Sequence, residues 1–249
     1  MNTRAIVLAA GRGSRMDALT RGHPKCLVEV GGRTLLQWQL DALRGSGIDD
    51  IAIVTGYRRA LVALSGLVEF HNPHWAETNM VASLACADDW LRQAPCIVSY
   101  SDIFYEASAV QSLLTSRAAL AITYDPGWRV LWTQRFADPL SDAETFRLGP
   151  DGMLGEIGNK PASLDEIEGQ YMGLLRFEPA GWDEFERVRG GLPAGDRDRM
   201  HMTGTLQRVL DAGRIPIAAL PYRGKWGEVD SPHDLALYTD REVMTKSYR

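Results

Sequence analysis

The chain has 249 residues, of which 45% are hydrophobic and 24% are charged. This composition is typical of a folded globular protein and excludes wholesale disorder. The 27 basic and 32 acidic residues give a formal net charge of −5, which argues against a surface for duplex nucleic acid. The apolar run Ala5–Ala10 is too short for a signal peptide, and no apolar stretch reaches the ~18 residues of a membrane span. We therefore expect a soluble, cytoplasmic protein with no nucleic-acid partner and no membrane span.

Predicted strands alternate with predicted helices along the chain, which is typical of βαβ units. We expect an α/β fold, Rossmann-like, with a mixed, mostly parallel sheet and helices on both faces. Residues 1–249 form a single predicted domain, and an irregular, tryptophan-rich insertion at about 125–165 is expected to form short strands over the end of the sheet. The strands are predicted at Arg4–Ala9, Ile51–Thr55, Leu67–His71, Ile97–Tyr100, Leu120–Tyr124, Tyr171–Phe177 and Ile215–Leu220, and the helices at Thr34–Arg44, Arg58–Leu64, Asn79–Leu91, Ala107–Ser116, Thr203–Ala212 and from Pro232 onward.

The three cysteines carry no signature of a disulfide framework or a metal site. Cys26, Cys86 and Cys96 form no Cys-x-x-Cys pair, and an odd number leaves one thiol unpaired. Each lies in an apolar stretch, so we expect reduced, packed thiols.

A glycine-rich loop follows the first predicted strand and reads Leu8-Ala9-Ala10-Gly11-Arg12-Gly13-Ser14-Arg15-Met16. Glycines let backbone N–H groups approach phosphates, and Arg12 and Arg15 add charged donors. The loop is neither a dinucleotide fingerprint, which needs glycine where Met16 stands, nor a P-loop, which needs Gly-Lys-Ser/Thr. By spacing alone, a simple strand-to-helix turn is the alternative.

The residues around Lys25 make it a candidate functional residue. Pro24 restricts the backbone immediately before it and would hold the ammonium in a defined direction. Alone, Lys25 would be an ordinary surface lysine. Next to the glycine-rich loop, it is a candidate for neutralising a phosphoryl group.

The loop, the Pro24-Lys25 pair and Val30–Leu36 together resemble the start of the sugar-nucleotidyltransferase-like NTP transferases. This resemblance implies that the loop wraps a nucleoside triphosphate. It also implies that Arg15 and Lys25 contact the phosphates as the catalytic cations. The loop residues that it assigns to nucleotide binding are Leu8, Ala9, Ala10, Gly11 and Gly13.

Two aspartates match the metal-binding positions of the same family. Asp102 follows the fourth predicted strand, and Asp230 lies in an acidic turn, Glu228-Val229-Asp230. Taken in isolation, either aspartate is better explained as a helix cap. The resemblance instead implies that Asp102 and Asp230 hold Mg²⁺, a cation that prefers carboxylate and phosphate oxygens.

The stretch Asn72–Leu84 is similar to an element of phosphocholine cytidylyltransferase-like enzymes. That resemblance places Asn79 and Ser83 beside the cytosine base, whereas residue chemistry alone makes Asn79 a helix cap. Further similarity to this subfamily covers 125–146, 157–161, 169–173 and 226–235.

The acceptor residues are assigned by the same similarity. Lys160 is expected to contact an acceptor phosphate or phosphonate, and the neighbouring Asn159 departs from the acid that is usual in hexose-phosphate members. Aromatic faces and carboxylates can hold an aminoalkyl cation. The groups available for this near the matched motifs are Trp132, Tyr171, Trp226 and Glu228, with Trp128 and Trp132 left open between substrate cage and core.

The resemblance therefore implies a Mg²⁺-dependent cytidylyltransferase that transfers CMP from CTP to a small phosphate or phosphonate and releases pyrophosphate. Phosphocholine or 2-aminoethylphosphonate is the expected acceptor. A sugar-1-phosphate nucleotidylyltransferase and a non-catalytic nucleotide-binding regulatory module are the alternatives. The sequence leaves open the acceptor's identity and whether the chain forms a homodimer.

Overall fold

The structure, a computed structural model, describes residues 2–62 and 67–239. The strands are β1 (Arg4–Ala9), β2 (Glu29–Val30), β3 (Arg33–Thr34), β4 (Ile51–Thr55), β5 (Val68–His71), β6 (Cys96–Tyr100), β7 (Ile103–Tyr105), β8 (Leu120–Asp125), β9 (Phe146–Leu148), β10 (Leu154–Ile157), β11 (Gln170–Phe177), β12 (Ile217–Pro221) and β13 (Trp226–Glu228). The helices are α1 (Leu35–Gly45), α2 (Met80–Ala85), α3 (Asp88–Gln93), α4 (Ala107–Thr115), α5 (Trp128–Arg135), α6 (Pro179–Gly190), α7 (Ala194–Asp198), α8 (Met202–Ala212) and α9 (Pro232–Thr239).

A seven-stranded sheet forms the centre of the molecule, with the strand order β12-β8-β11-β6-β1-β4-β5. Its neighbouring strands are parallel, except that β11 runs antiparallel to both β6 and β8. The predicted mixed, mostly parallel sheet is thereby confirmed. Because β1, β4 and β6 are parallel, the loops after them lie at one edge of the sheet, where α/β proteins bind ligands.

Helices cover both faces of the sheet, as the sequence predicted. Alternation along β1 sends Ala5, Val7 and Ala9 into one apolar cluster and Ile6 and Leu8 into the other. The first cluster packs the sheet against α1 and α4, and the second packs it against α2, α6 and α8. The rigid core therefore fixes the direction in which the glycine-rich loop leaves β1.

A two-stranded pairing outside the main sheet joins distant parts of the chain. Strand β13 runs antiparallel to β7, with Glu228 opposite Ile103. In addition, the Val229 amide donates to the Asp102 carbonyl at 2.9 Å. This pairing brings the C-terminal acidic turn next to the loop after β6.

Several predicted elements differ from those observed. The helix predicted over Asn79–Leu91 is two helices, α2 and α3, because the chain leaves helical geometry at Ala87. The predicted Arg58–Leu64 helix is only a 3₁₀ turn at Arg59–Leu61, and residues 63 and 64 lie outside the described residues.

The insertion contains a helix where short strands were expected. The Asp125 carboxylate accepts a hydrogen bond from the Gly127 amide at 2.6 Å and turns the chain into α5. In α5, Trp128, Leu131, Trp132 and Arg135 share one buried face. The short strands β9 and β10 follow later in the insertion, and α6 and α7 were not predicted.

None of the helices in the described ranges combines the length and the apolar character needed to cross a bilayer.

Candidate active site

Lys25 lies at the centre of a charged cluster at the ligand-binding edge of the sheet. It opens a 3₁₀ turn directly after Pro24 and is only 7% exposed. Its ammonium donates to Asp102 Oδ2 at 2.8 Å and also to Asp230 Oδ1. The cluster therefore joins three segments that are far apart in sequence.

The charges around Lys25 keep it protonated despite its burial. Desolvation lowers the pKa of Lys25, but the negative charges of Asp102, Asp230 and Glu228 outweigh it and raise the pKa overall. Desolvation likewise opposes ionisation of Asp230, yet Lys25 and Arg15 hold the pKa of Asp230 below its ordinary value. Lys25 and Asp230 are therefore an ionised pair, whereas burial raises the pKa of Glu228 to about 8.

Position 13 requires a glycine because the backbone there lies against the Lys25 side chain. The φ of Gly13 is +70°, and a Cβ at this position would lie 2.9 Å from both Cβ and Cδ of Lys25. A side chain here would be strained and would displace the lysine. The glycine-rich loop thereby sets the position of the ammonium.

Asp102, Glu228 and Asp230 form an acidic cluster that could hold a divalent cation. One carboxylate oxygen from each lies within 4.8 Å of the others. Asp102 Oδ1 is buried and accepts no hydrogen bond from the described residues, which leaves an oxygen available as a ligand. An all-oxygen donor set of this kind fits Mg²⁺.

Arg15 links the acidic cluster to the insertion. Its guanidinium lies 2.8 Å from Asp230 Oδ2 and 3.9 Å from Asp142 Oδ1, and its side chain is 68% exposed. Because most of the side chain is exposed, the guanidinium can also contact a ligand while it remains paired with Asp230.

A cavity of about 280 Å³, here called the loop cavity, opens against the glycine-rich loop. The backbone alternation of β1 turns the side chain of Ala9 into the core, so Ala9 is not among the lining residues. The sequence-predicted residues that line it are Leu8, Ala10, Gly11, Gly13, Arg15, Lys25, Asn79, Ser83 and Asp102.

Asn79 and Ser83 lie on one wall of the loop cavity. The Asn79 side chain caps α2 by accepting a hydrogen bond from the Met80 amide at 2.7 Å. The Ser83 hydroxyl accepts one from the side-chain amide of Asn72 (Nδ2) at 2.9 Å. Capping and cavity lining therefore coexist at Asn79 and are not alternatives.

A second cavity of about 260 Å³, here called the insertion cavity, adjoins the first. Arg15, Met80 and Tyr100 line both cavities. Of the predicted acceptor residues, Trp132, Tyr171 and Glu228 line the insertion cavity, together with Asp230 of the acidic cluster.

Two predicted acceptor residues, Lys160 and Trp226, do not line either cavity. The Lys160 ammonium donates to the Leu140 carbonyl at the protein surface. The Trp226 indole N–H donates to Asp125 at 3.0 Å within the core. These hydrogen bonds hold both side chains away from the cavities.

The structure separates the two tryptophans whose role was open. Trp128 is 2% exposed and donates to the Ile167 carbonyl at 3.2 Å, so it is a core residue. Trp132 lines the insertion cavity, but the guanidinium carbon of Arg135 already lies 4.8 Å from its ring centroid. Arg135 is itself buried and pairs with Glu228 and Asp234.

Sequence reasoning did not single out several cavity residues. Glu228 was expected at the acceptor alone but also belongs to the acidic cluster. Asp142 and Glu144 line the insertion cavity, as does His201, while Trp75 lines the loop cavity. The Asp142-Ala143-Glu144 stretch matched the subfamily, and this match was the available signal for the two acids.

Comparison with known proteins identifies a family and relatives of this chain. Residues 5–153 match the MobA-like NTP transferase domain. The chain is 34% identical to CTP:phosphoglutamine cytidylyltransferase of Campylobacter jejuni, over 95% of this chain and 99% of the relative. It is 31% identical to 2-aminoethylphosphonate cytidylyltransferase of Lancefieldella rimae, over 41% of this chain and 43% of the relative.

Among solved structures, CTP:phosphocholine cytidylyltransferase from Streptococcus pneumoniae superposes with a TM-score of 0.71. The superposition covers 97% of this chain and 100% of that one, at 19% sequence identity. This likeness shows a shared fold.

Proposed function

Because the chain belongs to the MobA-like NTP transferase domain family and is a cytidylyltransferase for phosphorylated small-molecule acceptors, we propose the following reaction. The enzyme transfers CMP from CTP to a phosphate or phosphonate that carries a cationic nitrogen, and releases pyrophosphate. A divalent cation, Mg²⁺, assists the transfer.

One observation carries this proposal. The loop cavity and the insertion cavity meet at Arg15, and the acidic cluster of Asp102, Glu228 and Asp230 lies where they meet. A nucleoside triphosphate in the first cavity and an acceptor in the second would have their reacting groups next to these charges.

The proposed chemistry is direct, in-line displacement. An oxygen of the acceptor's phosphate or phosphonate attacks the α-phosphorus of CTP, and the bond from that phosphorus to the pyrophosphate oxygen breaks. The attacking oxygen is already deprotonated at neutral pH, so no general base is needed. The protein's contribution is therefore positioning and charge stabilisation.

Arg15 and Lys25 supply fixed positive charge for this step. Arg15 reaches both cavities, which suits it to hold the acceptor and the α-phosphate in one geometry. Lys25 borders the loop cavity with its ammonium on Asp102 and Asp230. A divalent cation held by the acidic cluster would offset the repulsion between the two anionic substrates.

The charges of the insertion cavity favour a cationic acceptor. Asp142 faces Arg15, and Glu228 pairs with Arg135. Glu144 differs, because its carboxylate contacts the Thr203 hydroxyl at 3.3 Å and pairs with no cationic side chain in the described ranges. A half-buried, unpaired carboxylate is suited to an ammonium group on the ligand.

The names of the relatives agree with this chemistry. The names of two relatives contain phosphoglutamine and 2-aminoethylphosphonate. Each of these compounds has an amino group in addition to its phosphoryl or phosphonyl group. We propose an acceptor of this class, in which Glu144 holds the amino group and Trp132 and Tyr171 form the apolar walls.

The direct test is pyrophosphate release measured with each of the four NTPs and a panel of acceptors. The panel contains phosphoglutamine, 2-aminoethylphosphonate, phosphocholine, glucose 1-phosphate and acetyl phosphate as an uncharged-tail control. We expect release with CTP and an acceptor that carries a cationic nitrogen, dependent on Mg²⁺. Turnover with glucose 1-phosphate alone would contradict the proposed acceptor class, and CTP binding without pyrophosphate release would indicate a regulatory module.

A further inference from the structure

Two arginines beside the loop cavity, in contrast to Arg15 and Lys25, form no ion pair with the acidic cluster in the described ranges. Arg12 lies between Gly11 and Gly13, which line that cavity, and Arg58 follows β4. Strands β1 and β4 are parallel, with Ala9 opposite Thr55. The two arginines therefore leave the sheet at the same edge, next to each other.

Tyr57 joins both arginines to the wall of the loop cavity. The guanidinium carbons of Arg12 and Arg58 each lie 5.8 Å from the centroid of its ring. Its amide donates to the Ala10 carbonyl at 2.9 Å, and its ring packs edge-on against Trp75 at 5.3 Å. Since Ala10 and Trp75 line the cavity, the ring and its two guanidinium groups belong to the cavity's rim.

The charges of these two arginines are not neutralised by the protein. Both side chains are exposed, and neither forms an ion pair with any described residue. The next residue provides a contrast, because Arg59 makes a two-pronged pair with Glu69 at 2.8 Å. The rim therefore keeps two free guanidinium groups on one aromatic ring.

The backbone at Arg58 is strained in a way that fits a ligand-binding role. Its φ is 51°, and within the described ranges it is the one non-glycine residue with a positive φ. Such conformations are costly for ordinary side chains, and they cluster at ligand-binding sites. Here the left-handed turn places the guanidinium over Tyr57.

We propose that Arg12 and Arg58, held by Tyr57, form a clamp for the β- and γ-phosphates of the nucleotide, which leave as pyrophosphate. This inference depends on the proposed function only in placing a triphosphate in the loop cavity. Two guanidinium forks match the oxygens of a pyrophosphate group. Arg15 and Lys25, in contrast, lie at the acidic cluster, where the α-phosphate reacts.

The test measures binding of inorganic pyrophosphate, CTP and CMP by calorimetry in the wild type and in an Arg12→Met/Arg58→Asn double variant. Asparagine tolerates the left-handed backbone at position 58. The matched control is Arg4→Met, which removes an arginine that stacks on Trp90 at 4.8 Å at the opposite end of β1. Thermal melting checks that each variant is folded.

We expect the double variant to bind pyrophosphate and CTP about tenfold or more weakly, with CMP affinity unchanged. Arg4→Met should leave all three affinities unchanged. Unchanged pyrophosphate affinity in the double variant, an equal loss for CMP, or no pyrophosphate binding by the wild type would overturn the clamp. If the wild type binds pyrophosphate but not CTP, the proposed function is contradicted. The clamp is then still tested by comparing the pyrophosphate affinities of the wild type and the double variant.

Discussion

Lys25 is the residue on which the charge balance of the site depends most. Its ammonium is buried between Asp102 and Asp230, and removing it leaves those carboxylates without their shared partner. Loss of such a group costs transition-state stabilisation as well as stability.

We predict that Lys25→Met lowers kcat/KM by about 10²-fold or more, and also lowers the melting temperature. Steady-state kinetics with CTP and the preferred acceptor, on protein verified as folded by circular dichroism, checks this outcome. A kcat/KM within twofold of wild type would show that Lys25 does not contact the reacting phosphates.

Glu144 provides a separate test of acceptor recognition. Glu144→Gln keeps the shape of the side chain but removes the negative charge that is proposed to hold the acceptor's ammonium. We predict that the KM for the acceptor rises about tenfold while the KM for CTP is unchanged.

The matched control for Glu144 is Glu156→Gln. Glu156 lies in the same insertion but faces Arg147 and Asn159, outside both cavities. Its kinetic constants should match those of the wild type. Equal effects of the two substitutions, or a rise in the KM for CTP with Glu144→Gln, would contradict the proposed role of Glu144.

At the scale of elements, α1 shows a stabilising device that is independent of the site. Thr34 accepts a hydrogen bond from the Gln37 amide, and the Gln37 side chain accepts one from the Thr34 amide, which together form a capping box. No residue of α1 lines either cavity.

We predict that Thr34→Ala lowers the free energy of unfolding by about 1 kcal/mol and leaves kcat/KM unchanged. Chemical denaturation followed by circular dichroism measures the stability, and Thr34→Ser, which retains the capping oxygen, should behave as the wild type. A loss of activity with Thr34→Ala at full folding would mean that α1 is coupled to the site.

The elements that sequence reasoning predicted well are those with a strong local pattern. The apolar, β-branched runs at Arg4–Ala9 and Ile51–Thr55 are observed as strands with the predicted bounds. Helix α5, at Trp128–Arg135, was not predicted, because its buried face depends on tertiary packing, with Arg135 turned inward to Glu228 and Asp234. Local pattern carries no information about an arginine that is buried by partners 93 and 99 residues away.

The site was predictable to the extent that motifs carried it. Arg15, Lys25, Asp102 and Asp230 came from the family resemblance, and the structure brings them together. The position of Lys160 was not predictable, because its contact with Leu140 depends on how the insertion folds. The second role of Glu228 likewise depends on the pairing of β13 with β7.

At the scale of the whole molecule, burial separates the three thiols. Burial raises the pKa of Cys26 and of Cys96 to about 12, whereas Cys86 is exposed. The expectation that all three are packed is therefore wrong for Cys86, which follows the end of α2 on the surface.

We predict that an aromatic disulfide reagent titrates one thiol per chain in the native protein and three in denaturant, since only a thiolate that can be reached reacts. Cys86→Ser should abolish the native reaction. Rapid reaction of two or three thiols without denaturant would show that the core around Cys26 or Cys96 opens readily.

The convergence of the acidic cluster, Lys25 and the two cavities is tested most directly by Mn²⁺ binding, measured by electron paramagnetic resonance with a non-hydrolysable CTP analogue present. If the carboxylates of the cluster hold the metal, Mn²⁺ should bind tightly to the wild-type protein with the CTP analogue. An Asp102→Asn/Asp230→Asn double variant should bind it at least tenfold more weakly than that complex. Equal Mn²⁺ affinity in the wild type and the double variant would show that these carboxylates hold no metal beside the nucleotide.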